Sequence, residues 1–153
     1  MSDPIFKLQV RLNAENLKKW LRKVKTWDFS RFLNMTGETL LDSFQTNIRS
    51  GGRGVKWPPL DDHYRAWKSR KWGRARMLVA SGKLFNSLRK GGQYNVYKVS
   101  KNSIEVGTDV RSVKNFPYWR PVGEVRKFIM IQPSDKEQIG KGFNWEVHKM
   151  LEV

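Results

Sequence analysis

Hydrophobic and polar positions alternate strictly at the start of the chain: Phe6, Leu8, Val10 and Leu12 fall on one side of residues 6–12, and Lys7, Gln9 and Arg11 on the other. That period of two predicts a half-buried strand. Asn13 then suits a helix N-cap, and the period changes. Leu17, Trp20, Leu21 and Val24 recur at i, i+3, i+4 and i+7, the apolar stripe of an amphipathic helix, with Lys18, Lys19, Arg22, Lys23 and Lys25 on its other faces. A second helix is predicted after Asp28, with Phe29, Phe32, Leu33, Leu40, Phe44 and Ile48 on one side and a stop at Ser50-Gly51-Gly52. Gly37 inside it costs about 1 kcal/mol relative to alanine. Close packing against a neighbour would explain its presence.

Residues 49–60 read as a loop from their glycines and prolines. The basic stretch from Arg65 to Arg76 follows without an element of its own. Ser81 is placed to cap a short helix carrying Leu84, Phe85 and Leu88. Residues 93–99 and 103–108 form a predicted hairpin turning at Lys101–Asn102, and residues 124–131 a further strand. Ser134 with Glu137 three residues on has the spacing of a capping box, opening a last helix that Gly140 and Gly142 would keep short. Phe143, Trp145 and Val147 fit a strand as well as a frayed helix, so 143–153 is a C-terminal tail of open assignment. The order β-α-α-loop-α-β-β-β-α predicts an α+β fold, helices packed on a mostly antiparallel sheet, in one domain spanning 1–153.

Composition adds two constraints. The 153 residues include seven tryptophans, more apolar area than a modest core consumes, so part of it suits contacts with another chain. A net charge of +16 attracts nucleic acid, anionic membrane or acidic protein. The absence of cysteine excludes disulfides, thiolate chemistry and cysteine-ligated zinc. No stretch suits a signal peptide or a membrane span, so a protein made in the cytoplasm, with no membrane partner, is expected.

Catalytic candidates are few. Asp61, Asp62 and His63 invite a metal, but adjacent residues rarely converge on one centre, and capping a helix suits Asp61 or Asp62 better. Ser81-Gly82-Lys83 resembles the end of a phosphate-binding loop, yet Met77 and Leu84 stand where that loop needs glycine and serine or threonine. The fourteen acids are scattered, and Ser81, Ser87 and Ser103 have no His–Asp partner nearby in sequence. No catalytic, metal or cofactor site is assigned; a hydrolase would need residues converging from distant segments. The basic–aromatic stretch admits three readings. Arg65, Lys68, Arg70, Lys71, Arg74 and Arg76 could neutralise phosphates while Trp67 or Trp72 stacks on bases. They could equally meet carboxylates of a protein, or be wet cations around tryptophans of the chain's own core.

Several segments, in order, resemble one family. Residues 54–60 (GVKWPPL) are similar to a G-x-x-W-x-P-L loop, 78–88 (LVASGKLFNSL) to L-x-x-S/T-G-x-L-x-x-S-I/L, and 104–110 (IEVGTDV) to V-x-V-G-T/S. Residues 118–124 (YWRPVGE) stand where Y-A-x-x-H-Q-x-G is usual, and 125–139 resemble the ending that follows it. These are motifs of the virion morphogenesis, or tail-completion, family of tailed bacteriophages. The resemblance runs from the second helix to Ile139. Trp119, Pro121 and Val122 replace the usual Ala, His and Gln, and Lys127 follows Arg126 where proline is common. If those positions touch a partner, this chain has a different partner surface.

The resemblance implies a non-catalytic α+β subunit that forms a ring, often six-fold, at the head-proximal end of the tail or in the neck, completing the tail and enabling head–tail joining. Its partners would be copies of itself, tail-tube, sheath, neck or connector proteins, and packaged DNA; its place would be the virion, after assembly in the host cytoplasm. Family-motif or interface residues are then Gly54, Trp57, Pro59, Leu60, Ser81, Gly82, Leu84, Gly107, Tyr118, Trp119, Gly123 and Arg126. Loop 49–60 would protrude toward a neighbouring subunit with Trp57 as its anchor, or else be a plain surface loop with Trp57 in the subunit's own core. The opposing reading is a monomeric basic nucleic-acid binder.

Overall fold

A computed structural model describes residues 14–73, 76–79, 81–109 and 126–152. Its elements are α1 (Ala14–Thr26), α2 (Ser30–Ser50), α3 (Asp62–Trp72), α4 (Lys83–Ser87), β1 (Asn95–Val99), β2 (Ile104–Thr108) and α5 (Pro133–Glu152). The architecture is α+β, with five helices and a two-stranded antiparallel sheet among the described residues. The strand expected at 6–12 and its Asn13 cap lie outside them.

Helix α2 is the centre. It runs unbroken through Gly37 and ends at Gly51, whose left-handed backbone (φ 69°) closes the last turn. Leu41, Phe44 and Ile48 on α2 join Trp57, Val79, Leu84, Leu88 and Phe128 in one core cluster. The β-hairpin crosses α2 at Gly37, where a Cβ would collide with the Ile104 side chain and stand 2.9 Å from the Tyr97 ring. Tyr97 secures that crossing by donating its hydroxyl to the Asn34 carbonyl at 2.8 Å. The hairpin pairs Tyr97 with Val106 and Val99 with Ile104, and Ser100 N–H reaches the Ser103 carbonyl across Lys101–Asn102, the turn that was expected. Helix α4 ties to the hairpin through Ser87, whose hydroxyl meets that of Thr108 at 2.6 Å while its carbonyl accepts from Asn95 at 2.8 Å.

Helix α5 runs antiparallel along α2. At its start Ser43 donates to Asp135 at 2.5 Å; further on, Phe143 packs on Phe32 with centroids 5.7 Å apart, and Glu146 accepts from the Trp27 indole at 2.8 Å.

Four expectations are corrected here. Residues 126–131 form no strand. Their alternation is real, with Phe128 buried and Ile129 and Ile131 exposed, but the Phe128 and Met130 carbonyls are taken by the Asn47 side chain of α2 rather than by a neighbouring strand. The helix starts two residues earlier than the expected capping box would place it: Gln132 N–H donates to Asp135 at 2.7 Å, and Pro133 occupies the first helical position, where no N–H is needed. Gly140 and Gly142 do not end α5, which continues to Glu152; Gly142 instead admits the Met35 side chain into the space a Cβ would fill. Finally, α4 starts at Gly82 (φ 81°) without any side-chain cap, so Ser81 has no capping role.

Candidate interaction surfaces

The basic–aromatic stretch is a helix, α3. Asp61 starts it by accepting from His63 N–H at 3.0 Å and Tyr64 N–H at 3.2 Å, and Gly73 closes it in the left-handed conformation with its N–H on the Ser69 carbonyl. Asp62 pairs with Arg65 one turn on. Among the described residues no group of three or more His, Asp or Glu side chains is placed to hold a metal ion.

The helix sorts its candidate residues into two sets. Tyr64 stacks on Trp67 (centroids 5.5 Å, planes 25° apart), and the Lys71 ammonium lies 5.0 Å from the Trp67 ring and 5.5 Å from that of Trp72. These rings are exposed, as are Arg65, Arg70, Lys71 and Arg76. The result is an aromatic ladder topped by a cation, suited to an electron-rich or acidic partner. Lys68 belongs to the other set and corrects its expected role as a contact. It is 2% exposed, and its ammonium donates to the Arg76 carbonyl, holding the chain beyond α3 against the helix. Burial, then the nearby Arg126 charge, pushes its pKa below the usual lysine range. Arg74 lies outside the described residues.

Trp57 is likewise corrected. It is 7% exposed and part of the core, so it anchors the loop to its own subunit. Its N–H bonds to the Gly51 carbonyl at 3.0 Å, and its ring passes so close to Gly52 (φ 103°) that a Cβ there would stand 2.8 Å from the indole. Only glycine accommodates both that backbone and that approach. Gly54 and Pro59 are exposed on the same loop and Leu60 is half-buried. Arg126 donates to the Pro58 carbonyl at 3.2 Å, while its buried Nε has no hydrogen-bond partner. Leu84 and Gly107 are buried at the α4–hairpin contact, and Ser81 is exposed. Tyr118, Trp119 and Gly123 lie outside the described residues.

Two features escaped the sequence reading. Tyr64 completes the aromatic ladder; its spacing of three from Trp67 becomes informative once Asp61 fixes the helix start. The second is a polar network that closes loop 49–60 onto α2 and α5. Arg53 donates to Ser43 at 2.5 Å and to the Asn47 side-chain oxygen at 3.0 Å, and its guanidinium stands 3.4 Å from Asp135. Gln132 adds bonds to Asn47 and to the Arg53 carbonyl. No local signal links residues about eighty positions apart.

The sequence model of the phage virion morphogenesis family matches residues 12–112 of this chain, about two thirds of it. The match takes in the loop 54–60 and the segments 78–88 and 104–110, and stops before the motifs seen at 118–139. The chain belongs to the phage virion morphogenesis family. Its role lies accordingly in building a phage particle, with which it associates. No curated protein and no solved structure matches it. No helix among the described residues is long and apolar enough to cross a membrane.

Proposed function

We propose that the chain is a structural, non-catalytic subunit that assembles into a ring at the head-proximal end of the tail or in the neck, completes the tail and enables its joining to the head. One observation carries this beyond the family assignment. Of the six described tryptophans, Trp20, Trp67, Trp72 and Trp145 are exposed, Trp27 is half-buried, and Trp57 alone is buried. A subunit that leaves so much aromatic area open gains most by covering it with other chains. The α3 ladder is the docking face in this reading, and ring symmetry multiplies each weak contact.

Mass measurement of the purified chain by light scattering is expected to show an oligomer, and labelled particles to carry it at a tail end. A stable monomer absent from particles sinks the reading. The second reading, a nucleic-acid binder, draws on the exposed Tyr64–Trp67 stack beside Arg70 and Lys71. It predicts affinity falling steeply with salt, with a slope flattened by Arg70→Gln, Lys71→Gln and Arg76→Gln together.

A further inference from the structure

Helix α1 presents an unresolved demand. It is thirteen residues long, a length at which an isolated helix is marginal in water, so it needs its apolar stripe covered. In the folded chain Trp20 and Leu21 on that stripe remain 41% and 44% exposed, and Lys18, Lys19, Arg22, Lys23 and Lys25 flank them in solvent. One turn beyond Val24 the stripe opens into a cleft of about 360 Å³ lined by Lys23, Thr26, Trp27, Asp28 and Met150, where α1 ends against the C-terminal half of α5. The Trp27 indole is fixed there by its bond to Glu146, so the cleft wall is preformed.

Charge narrows the occupant. A second copy brings 30 cations against 14 acids, and six of those acids (Glu15, Glu38, Asp62, Glu105, Asp135 and Glu137) already pair within their own chain. With Lys18 already held by Glu15, the four remaining cations of this face would meet a partner of their own net sign, +16. Nucleic acid would answer the cations and could stack on Trp20, but offers Leu21 no aliphatic partner. An anionic bilayer would answer both, but offers no discrete side chain for the cleft. A protein surface meets all three demands, in the manner of an amphipathic helix seated in a groove.

The geometry points to α1 and its adjoining cleft as the docking site for a different protein of the particle, one whose contact surface is apolar at the centre, rich in carboxylates at the rim, and supplies one large apolar side chain to the cleft. This rests on the chain's role in virion assembly and assigns a partner class to a face separate from α3.

A photo-reactive benzoylphenylalanine placed at Leu21 of the full chain, irradiated in cells assembling particles, tests it. The expected adduct joins position 21 to a peptide of another virion protein in which Asp and Glu outnumber Lys and Arg. Combining Lys18→Glu, Arg22→Glu and Lys25→Glu, all solvent-exposed, should reduce the adduct at least tenfold at unchanged chain level. An adduct to a second copy, to phospholipid or to nucleic acid overturns the inference, as does no adduct or one indifferent to the charge reversal. Because ring formation is read from the mass of the purified chain, either conclusion can fail while the other stands.

Discussion

Around α2, aromatic and charged side chains end in closed contacts: Trp57 against Gly52, Tyr97 on Asn34, Arg53 inside the Ser43–Asn47–Asp135 network. On α1 and α3 the same residue types stay open, with Trp20, Trp67 and Trp72 in solvent and cations lying over or beside them. The chemistry does not differ between the two regions; the geometry does. Helix α2 has neighbours on several sides, so each large side chain there meets a partner within the chain. The outlying helices α1 and α3 leave most of their large side chains in solvent. In the proposed reading stability and recognition are divided between regions, and substitutions should separate them.

The sharpest separation is between two tryptophans. Trp57→Ala is expected to lower unfolding free energy by about 3–5 kcal/mol, whereas Trp67→Ala should stay within about 0.5 kcal/mol; urea denaturation of both decides, and equal losses would erase the distinction. Next comes the polar network. Asp135→Ala leaves the Ser43 hydroxyl and the Gln132 N–H without their acceptor and Arg53 without its counter-charge, and should cost about 3 kcal/mol, together with faster proteolysis in loop 49–60. A loss near zero would mean that water serves the network as well as Asp135 does. Gly37→Val drives new methyl groups into Ile104 and Tyr97, with an expected cost of about 1–3 kcal/mol; the Tyr97 ring resonances in an NMR spectrum should shift with it.

A smaller, pH-dependent effect concerns Lys68, the cation that α3 turned inward. Burial lowers its folded-state pKa, so between that value and the ordinary 10.5 the unfolded chain binds more protons than the folded one. Stability contributed by this group therefore rises as pH climbs through that window. Lys68→Met is expected to change stability by about 1 kcal/mol or less at neutral pH, and wild type should gain on the variant as pH approaches 10.5. Parallel pH profiles for the two proteins would return Lys68 to the solvent-facing set.

Elements held by local chemistry were legible in the sequence. Helix α2 between Asp28 and Gly51, the hairpin with its Lys101–Asn102 turn and a helix cap at Asp61 or Asp62 all depend on period, caps and turn residues within a few positions of each other. The family motifs could be read there as well, and the matched span contains three of them. Legibility failed where a partner was remote. Alternation at 126–131 was visible, but that Asn47 would take its carbonyls was not. A capping box at Ser134 and Glu137 was expected, but the helix starts at Pro133, with Asp135 taking the Gln132 N–H and the hydroxyl of the distant Ser43.

The two glycines Gly37 and Gly142 show where the boundary falls. One was read as a close-packing site and the other as a helix stop, yet both sit inside continuous helices and both admit a neighbour's side chain. The chain's own order of residues determined helices α1 and α2, the hairpin, and how much charge and aromatic area the protein carries, because those depend on near neighbours and on composition. Which tryptophan is buried, which lysine is hidden and which helix face stays open were decided only in three dimensions. Burial is a property of what surrounds a side chain, and those surroundings come from parts of the chain far apart in sequence.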